Sequence, residues 1–64
     1  MTTHPLPSGI GAPATRALEA AGWTTLEQVA GHTRADLLAL HGVGPKAVRV
    51  LAEALDAHGL ALAG

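Results

Sequence analysis

The sequence predicts an all-α fold, a compact domain of four short helices, and three observations carry that expectation. Hydrophobic residues make up 48% of the 64 positions and come mainly from Ala, Leu and Val, with Trp23 as the only Phe, Trp or Tyr. Such a composition suits small, closely packed helices and gives little to strands. Prolines and glycines recur at short intervals, prolines where apolar periods begin and glycines where they end. A ten-residue stretch, Gly9-Ile-Gly-Ala-Pro-Ala-Thr-Arg-Ala-Leu18, returns without a gap 33 positions later as Gly42-Val-Gly-Pro-Lys-Ala-Val-Arg-Val-Leu51.

Residues 1–8, with Thr2, Thr3, Pro5 and Pro7, hold no helical period and read as an extended or loose arm anchored by Leu6. The domain proper runs over 9–64. Its first helix spans about 13–21, with Pro13 in the first turn, Ala14, Leu18 and Ala21 on one face, and Gly22 as a left-handed cap. Thr24 with Glu27, or Thr25 with Gln28, is a capping-box pattern that opens a short second helix. That helix carries Leu26 and Val29 inward and stops at Gly31. Thr33 and Asp36 repeat a weaker form of the signal before Leu37, Leu38 and Leu40, giving a third helix over about 34–40, halted by Gly42. Pro45 opens the fourth and longest, about 45–58, in which Ala47, Val50, Leu51, Ala54, Leu55 and His58 keep a 3.6-residue period before Gly59. All of these leucines read as core. The tail places Leu60 and Leu62 to fold back on the bundle, since six residues without a partner strand are marginal as a strand.

A chain of this length is one domain that buries only about 60% of its unfolded surface. Without cysteine it has neither a disulfide framework nor a thiolate zinc site. No apolar run approaches membrane-spanning length, and the N-terminus lacks the pattern of a signal peptide, so the expectation is a soluble cytoplasmic protein with no membrane partner. His4, His32, His41 and His58 form no i, i+3 or i, i+4 pair, which argues against a metal site. Ser8 is the only serine and no carboxylate pair suggests a cleft, so the reading is no enzyme, no cofactor and no small-molecule substrate. Trp23 reads as a core filler. Four Lys and Arg against five Asp and Glu give a net charge of −1, unlike the basic surface usual for nucleic-acid binding. Any such binding must come from a local patch and backbone donors.

The repeated stretch supplies that patch. Two glycines around one apolar residue let the backbone turn tightly just before a helix, whose N-terminus offers unpaired N–H groups and partial positive charge, together a seat for phosphate. In the second copy Lys46 and Arg49 stand in or near the first turn, against the helix dipole, while Glu53 and Asp56 stand toward the C-terminal end. An anion held by the cations would explain that order; an i, i+4 pair between Arg49 and Glu53 is the alternative. In the first copy Pro13 replaces Lys46, removing a charge and an N–H, while Arg16 matches Arg49. Gly9, Gly11 and Arg16 are thus a weaker second seat, or a duplication kept for packing with Ile10 and Val43 as symmetric core plugs.

The segment Leu37-Leu-Ala-Leu-His-Gly-Val-Gly-Pro-Lys-Ala-Val-Arg-Val-Leu51 resembles the helix-hairpin-helix motif. That resemblance implies a SAM-like four-helix domain, with a partial second copy of the motif at the N-terminus, that holds duplex DNA by its phosphates without reading bases. Gly42, Gly44, Lys46 and Ala47 would supply N–H donors, Val43 would plug the core, and Lys46 with Arg49 would add charge. From about Ile10 to Ala63 the chain also looks like the C-terminal domain of the bacterial RNA polymerase α subunit. Trp23-Thr-Thr-Leu-Glu-Gln-Val-Ala30, Thr33-Arg-Ala-Asp-Leu-Leu38 and the hairpin through Gly59-Leu-Ala-Leu-Ala-Gly64 carry that likeness. It implies docking on double-stranded DNA and on transcription proteins. Where that family has an arginine and an asparagine at the start of its first helix, this chain has Gly11, Ala12 and Ala14. The expected function is weak, salt-sensitive, largely nonspecific binding of double-stranded DNA, at the nucleoid. The alternative is a protein-interaction domain for RNA polymerase, another transcription or repair protein, or a second copy of itself.

Overall fold

The computed structural model describes residues 3–63; Met1 and Thr2 of the expected arm, and Gly64, lie outside the described residues. Four α-helices follow one 3-10 turn, Ser8–Ile10, and no strand occurs among the described residues. The architecture is all-α.

Each helix begins on locally supplied chemistry. Helix α1 (Ala12–Ala20) starts after Gly11 with Pro13 in its first turn. It ends where Gly22, at φ 84°, turns the chain so that the Gly22 and Trp23 N–H groups donate to the Glu19 and Leu18 carbonyls at 3.0 and 2.9 Å. That is a Schellman closure, and it drops Trp23 beside Leu18. Helix α2 (Leu26–Ala30) opens on the Thr25 and Gln28 capping box rather than the Thr24 alternative, although Gln28 Oε1 also accepts the Thr24 N–H at 2.7 Å. Helix α3 (Arg34–Leu38) has a complete box from Thr33 and Asp36, stronger than the sequence signal suggested. Each such cap stabilises its helix by about 1 kcal/mol. Helix α4 (Pro45–Ala57) starts on Pro45 and closes with a second Schellman pattern at Gly59, whose N–H donates to Asp56 while that of Leu60 donates to Leu55.

The core is a single apolar cluster to which every helix contributes. Leu18, Val29, Leu37, Val48, Leu51 and Leu55 lose all contact with solvent. The repeat is visible here as three matched pairs of buried residues, Ile10 with Val43, Ala14 with Ala47, and Leu18 with Leu51. Two expectations about the core need correction. Leu38 is 43% exposed rather than buried, because α3 ends there, two residues short of the expected stop, and only Leu37 faces inward. Val48 is fully buried and Val50 only partly, because α4 packs against α2 and α3 and also against the Ser8–Ile10 turn, which widens its buried stripe.

The repeated sequence is not a repeated backbone. The left-handed glycine is Gly11 in the first copy, at φ 87°, but Gly42 in the second, at φ 97°. A 3-10 turn leads into Gly11 in the first copy and α3 leads into Gly42 in the second, so the chain reverses direction at different points. The two copies nonetheless meet. A methyl group on Gly42 would lie 3.0 Å from the Pro13 carbonyl oxygen, and one on Gly9 would lie 3.4 Å from Val50 Cγ1.

Both ends of the described segment are tied down. The His4 carbonyl accepts the Leu26 N–H at 2.9 Å, Pro5 makes an isolated antiparallel bridge to Thr25, and Leu6 packs on the core. The arm is therefore docked along α2. At the other end Leu60 and Leu62 pack on the core, and the Ala63 N–H donates to the His32 carbonyl at 2.9 Å. Trp23 is half-buried and stacks on the His32 ring, with centroids 3.7 Å apart and planes 20° apart.

Two outcomes follow from these contacts. Gly22→Ala meets no atom within 4 Å and suffers only its positive φ, a cost of about 1–2 kcal/mol. Gly42→Ala adds a clash with the Pro13 backbone and should lose more stability in urea denaturation; equal losses would contradict the close approach. The His4 side chain, and then the His4 amide N–H, hold the Glu27 carboxyl down from 4.5 to about 2. A depressed carboxylate contributes stability that is full above pH 4.5 and is lost as pH falls toward about 2. Glu27→Gln should flatten that part of the acid-unfolding curve, and an unchanged curve would show that the contact does not form.

Candidate nucleic-acid interface

The second copy forms the turn between α3 and α4. The Leu40 and Val43 N–H groups donate back to Leu37 and Leu40, Gly42 reverses the chain, and Val43 drops into the core. Gly44 then runs extended at φ −105° and caps α4, its carbonyl accepting the Val48 N–H at 3.1 Å. Pro45 has no N–H to place. The N–H groups of Gly42, Gly44, Lys46 and Ala47 find no acceptor among the described residues. Four donors therefore cluster at one turn and the helix end that follows it.

The charges around this turn are sparse and one-sided. Lys46 and Arg49 are exposed, and α4 has no acidic residue in its first turn. Arg49 Nε lies 3.3 Å from Glu53 Oε1, with the side chains 79% and 68% exposed. The alternative pairing is therefore present, but an exposed i, i+4 pair stabilises by only about 0.3–0.5 kcal/mol and yields readily to a stronger anion. Lys46, Arg49, Val50 and Glu53 line a shallow groove along α4. Glu53 and Val50 belong to that groove, and the ten-residue repeat could not have marked Glu53, which lies beyond it. His41 is exposed beside Gly42.

The first copy is poorer in donors. The Gly11 N–H is used by the Ser8 carbonyl at 3.4 Å, and Pro13 removes the donor at the next position but one. The Thr15 N–H and hydroxyl both go to the Gly11 carbonyl. Gly9 lies against Val50, a wall of the groove, so the structure brings this turn to the edge of the Lys46 helix. Arg16 is exposed and pairs with no carboxylate among the described residues.

A contrast separates the helices of the repeat from the other two. Helices α2 and α3 satisfy their N-termini internally, each with a capping box and an acid in the first turn, Glu27 and Asp36. Helices α1 and α4 have no side-chain cap and no acid there. Their positive ends meet no side-chain acceptor from the chain. No group of three or more residues able to hold a metal occurs among the described residues, and no helix there is long and apolar enough to cross a membrane.

Comparison with protein-family models, with curated proteins and with solved structures finds no match to this chain. The residues themselves must carry the functional argument.

Lys46 opposes the dipole of its own helix, so Lys46→Ala should leave helicity equal or slightly raised, by an amount worth about 0.3–1 kcal/mol at most. Circular dichroism decides it. Clear unfolding of this variant would mean that Lys46 is structural.

Proposed function

We propose that the protein is a non-enzymatic module that binds double-stranded DNA through its phosphates, with little base specificity, and that its four helices form a SAM-like helix-hairpin-helix domain. The observation that carries this reading is that the two helices of the repeat are uncapped and free of acid at their N-termini, while the other two are capped and acidic. The resemblance of the second copy to the helix-hairpin-helix motif supports it independently.

On this reading one phosphate is held by the N–H groups of Gly42, Gly44, Lys46 and Ala47, with the Lys46 ammonium and, once drawn from Glu53, the Arg49 guanidinium beside it. Gly9, Gly11 and Arg16 form the lesser seat for a second phosphate, because the Gly11 N–H is taken by the Ser8 carbonyl and Pro13 stands where the second copy has the Lys46 charge. Backbone donors and two cations fix a phosphate but carry no sequence information. The net charge of −1 supplies no long-range attraction, so affinity is low and set by local contacts.

The exposed Leu38 and the net negative charge favour a second reading, a protein-interaction domain whose partner is transcription or repair machinery or a second copy. Binding of a labelled duplex, followed by anisotropy across a salt series, separates the two. With two to four phosphates contacted, the log-log slope should be about −2 to −4 and Kd about 10⁻⁴–10⁻⁶ M near physiological salt. Lys46→Glu should abolish binding without unfolding the domain. No binding at low salt by the folded wild-type protein would reject the nucleic-acid reading and leave the second.

A further inference from the structure

We propose that the N-terminal arm is held by a histidine latch, made by His4 and His58, that opens when both rings carry a proton. The inference rests on the arm's own contacts and is independent of the nucleic-acid reading. His4 is held from two helices. Its amide N–H donates to Glu27 Oε1 at 2.8 Å, and its ring Nδ1 lies 2.6 Å from Glu27 Oε2. Its ring also stacks on that of His58, with centroids 3.8 Å apart and planes 30° apart. His58 caps the C-terminus of α4. Among the described residues, the titratable groups facing His4 are thus Glu27 from α2 and His58 from α4.

The stack responds differently to a first and a second proton. With both rings neutral, the Nδ1–H of His4 donates to the Glu27 carboxylate and the two rings share their faces. One proton on the pair improves this arrangement, because an imidazolium then lies between a carboxylate and the face of a neutral ring. A second proton puts two like charges face to face with one carboxylate to serve them. Two charged rings therefore cannot stay stacked. Glu27 keeps its charge throughout, since its carboxyl is held down to about 2.

Opening separates His4 from His58 and loosens the grip on Leu26 and Thr25. In the open molecules residues 3–7 leave α2 and uncover the apolar seat of Leu6, while the closed majority keeps the Glu27 contact. Histidine is the side chain that changes charge between about pH 7 and 5, so the arm should loosen as pH falls through that range.

The Leu26 amide reports the latch, because its acceptor is the His4 carbonyl, whereas the Val29 amide donates to Thr25 beside it in the same helix. Amide hydrogen exchange of the full chain, corrected for the intrinsic pH dependence, is measured at pH 7 and pH 5. Protection of Leu26 should fall roughly tenfold relative to Val29, the equivalent of one unit of charge interaction. His58→Phe keeps a ring face that cannot be charged and should abolish the fall; if that variant does not fold, His58→Gln takes its place. The proposal is overturned if Leu26 keeps pace with Val29 at both pH values, or if the fall persists undiminished in the folded His58 variant.

Discussion

The approach of Gly42 to the backbone of Pro13 is the contact on which the rest of the structure depends. A Cβ on Gly42 would stand 3.0 Å from the Pro13 carbonyl oxygen, tighter than ordinary contact, so any side chain there would force the two turns apart. The contact joins the turn before α4 to the first turn of α1, so the two copies of the repeat are pressed together. Gly9 makes the reciprocal approach to Val50 on α4. Between these contacts the matched residues Ile10 and Val43, Ala14 and Ala47, and Leu18 and Leu51 all enter the core. Helices α2 and α3 are too short to stand alone, since isolated helices under about 12 residues are marginal in water. Their boxes and their leucines attach them to a frame that the repeat builds.

That frame accounts for the polar surface as well as the core. A helix end packed among other elements must have its N–H groups satisfied, and α2 and α3 do this with their own threonines, Gln28 and Asp36. The ends of α1 and α4 follow directly on glycine turns, where no side chain is present to cap them. Gly42 and Gly9 permit the packing, while Gly11 and Gly44 stand at the cap positions and, without a side chain, leave the donors unpaired. Close packing and an open anion seat are then consequences of the two glycines of each turn. The first copy shows the limit of the idea, because Pro13, which presents its carbonyl to Gly42, stands where the second copy has the Lys46 charge. The turn that serves the packing best is the poorer seat.

Much of this was legible in the sequence because helix starts are local. Thr25 with Gln28, Thr33 with Asp36, Pro13 and Pro45 each act within four residues, and the helices lie within about two residues of where those signals put them. What was not legible depends on partners distant in the chain. The exposure of Leu38 and the burial of Val48 follow from the Ser8–Ile10 turn and the short α3, which no periodicity within α3 or α4 records. The docking of the arm rests on His4 and Glu27, 23 residues apart, and on the stack of His4 with His58. The ten matched residues misled in one respect. They specify matching buried side chains but not matching turns, because the φ of each glycine is set by what precedes it, a 3-10 turn in one copy and α3 in the other. At the candidate interface, the donors and cations could be placed from the repeat alone. Glu53, which lines the groove with Arg49, was legible only as a possible helix partner, and the abutment of Gly9 on Val50 was not legible at all.

Packing frame and anion seat share the same glycine turns, and a backbone amide titration tests that junction most directly. Adding a short DNA duplex at low salt should move the amide signals of Gly42, Gly44, Lys46 and Ala47 first, move Gly9 and Gly11 less, and leave Leu26 and Leu37 still. Raising the salt should return every shifted signal to its starting place. If the hairpin amides do not move while the fold is intact, the unpaired donors serve the turn alone, and the frame exists for packing and not for phosphate.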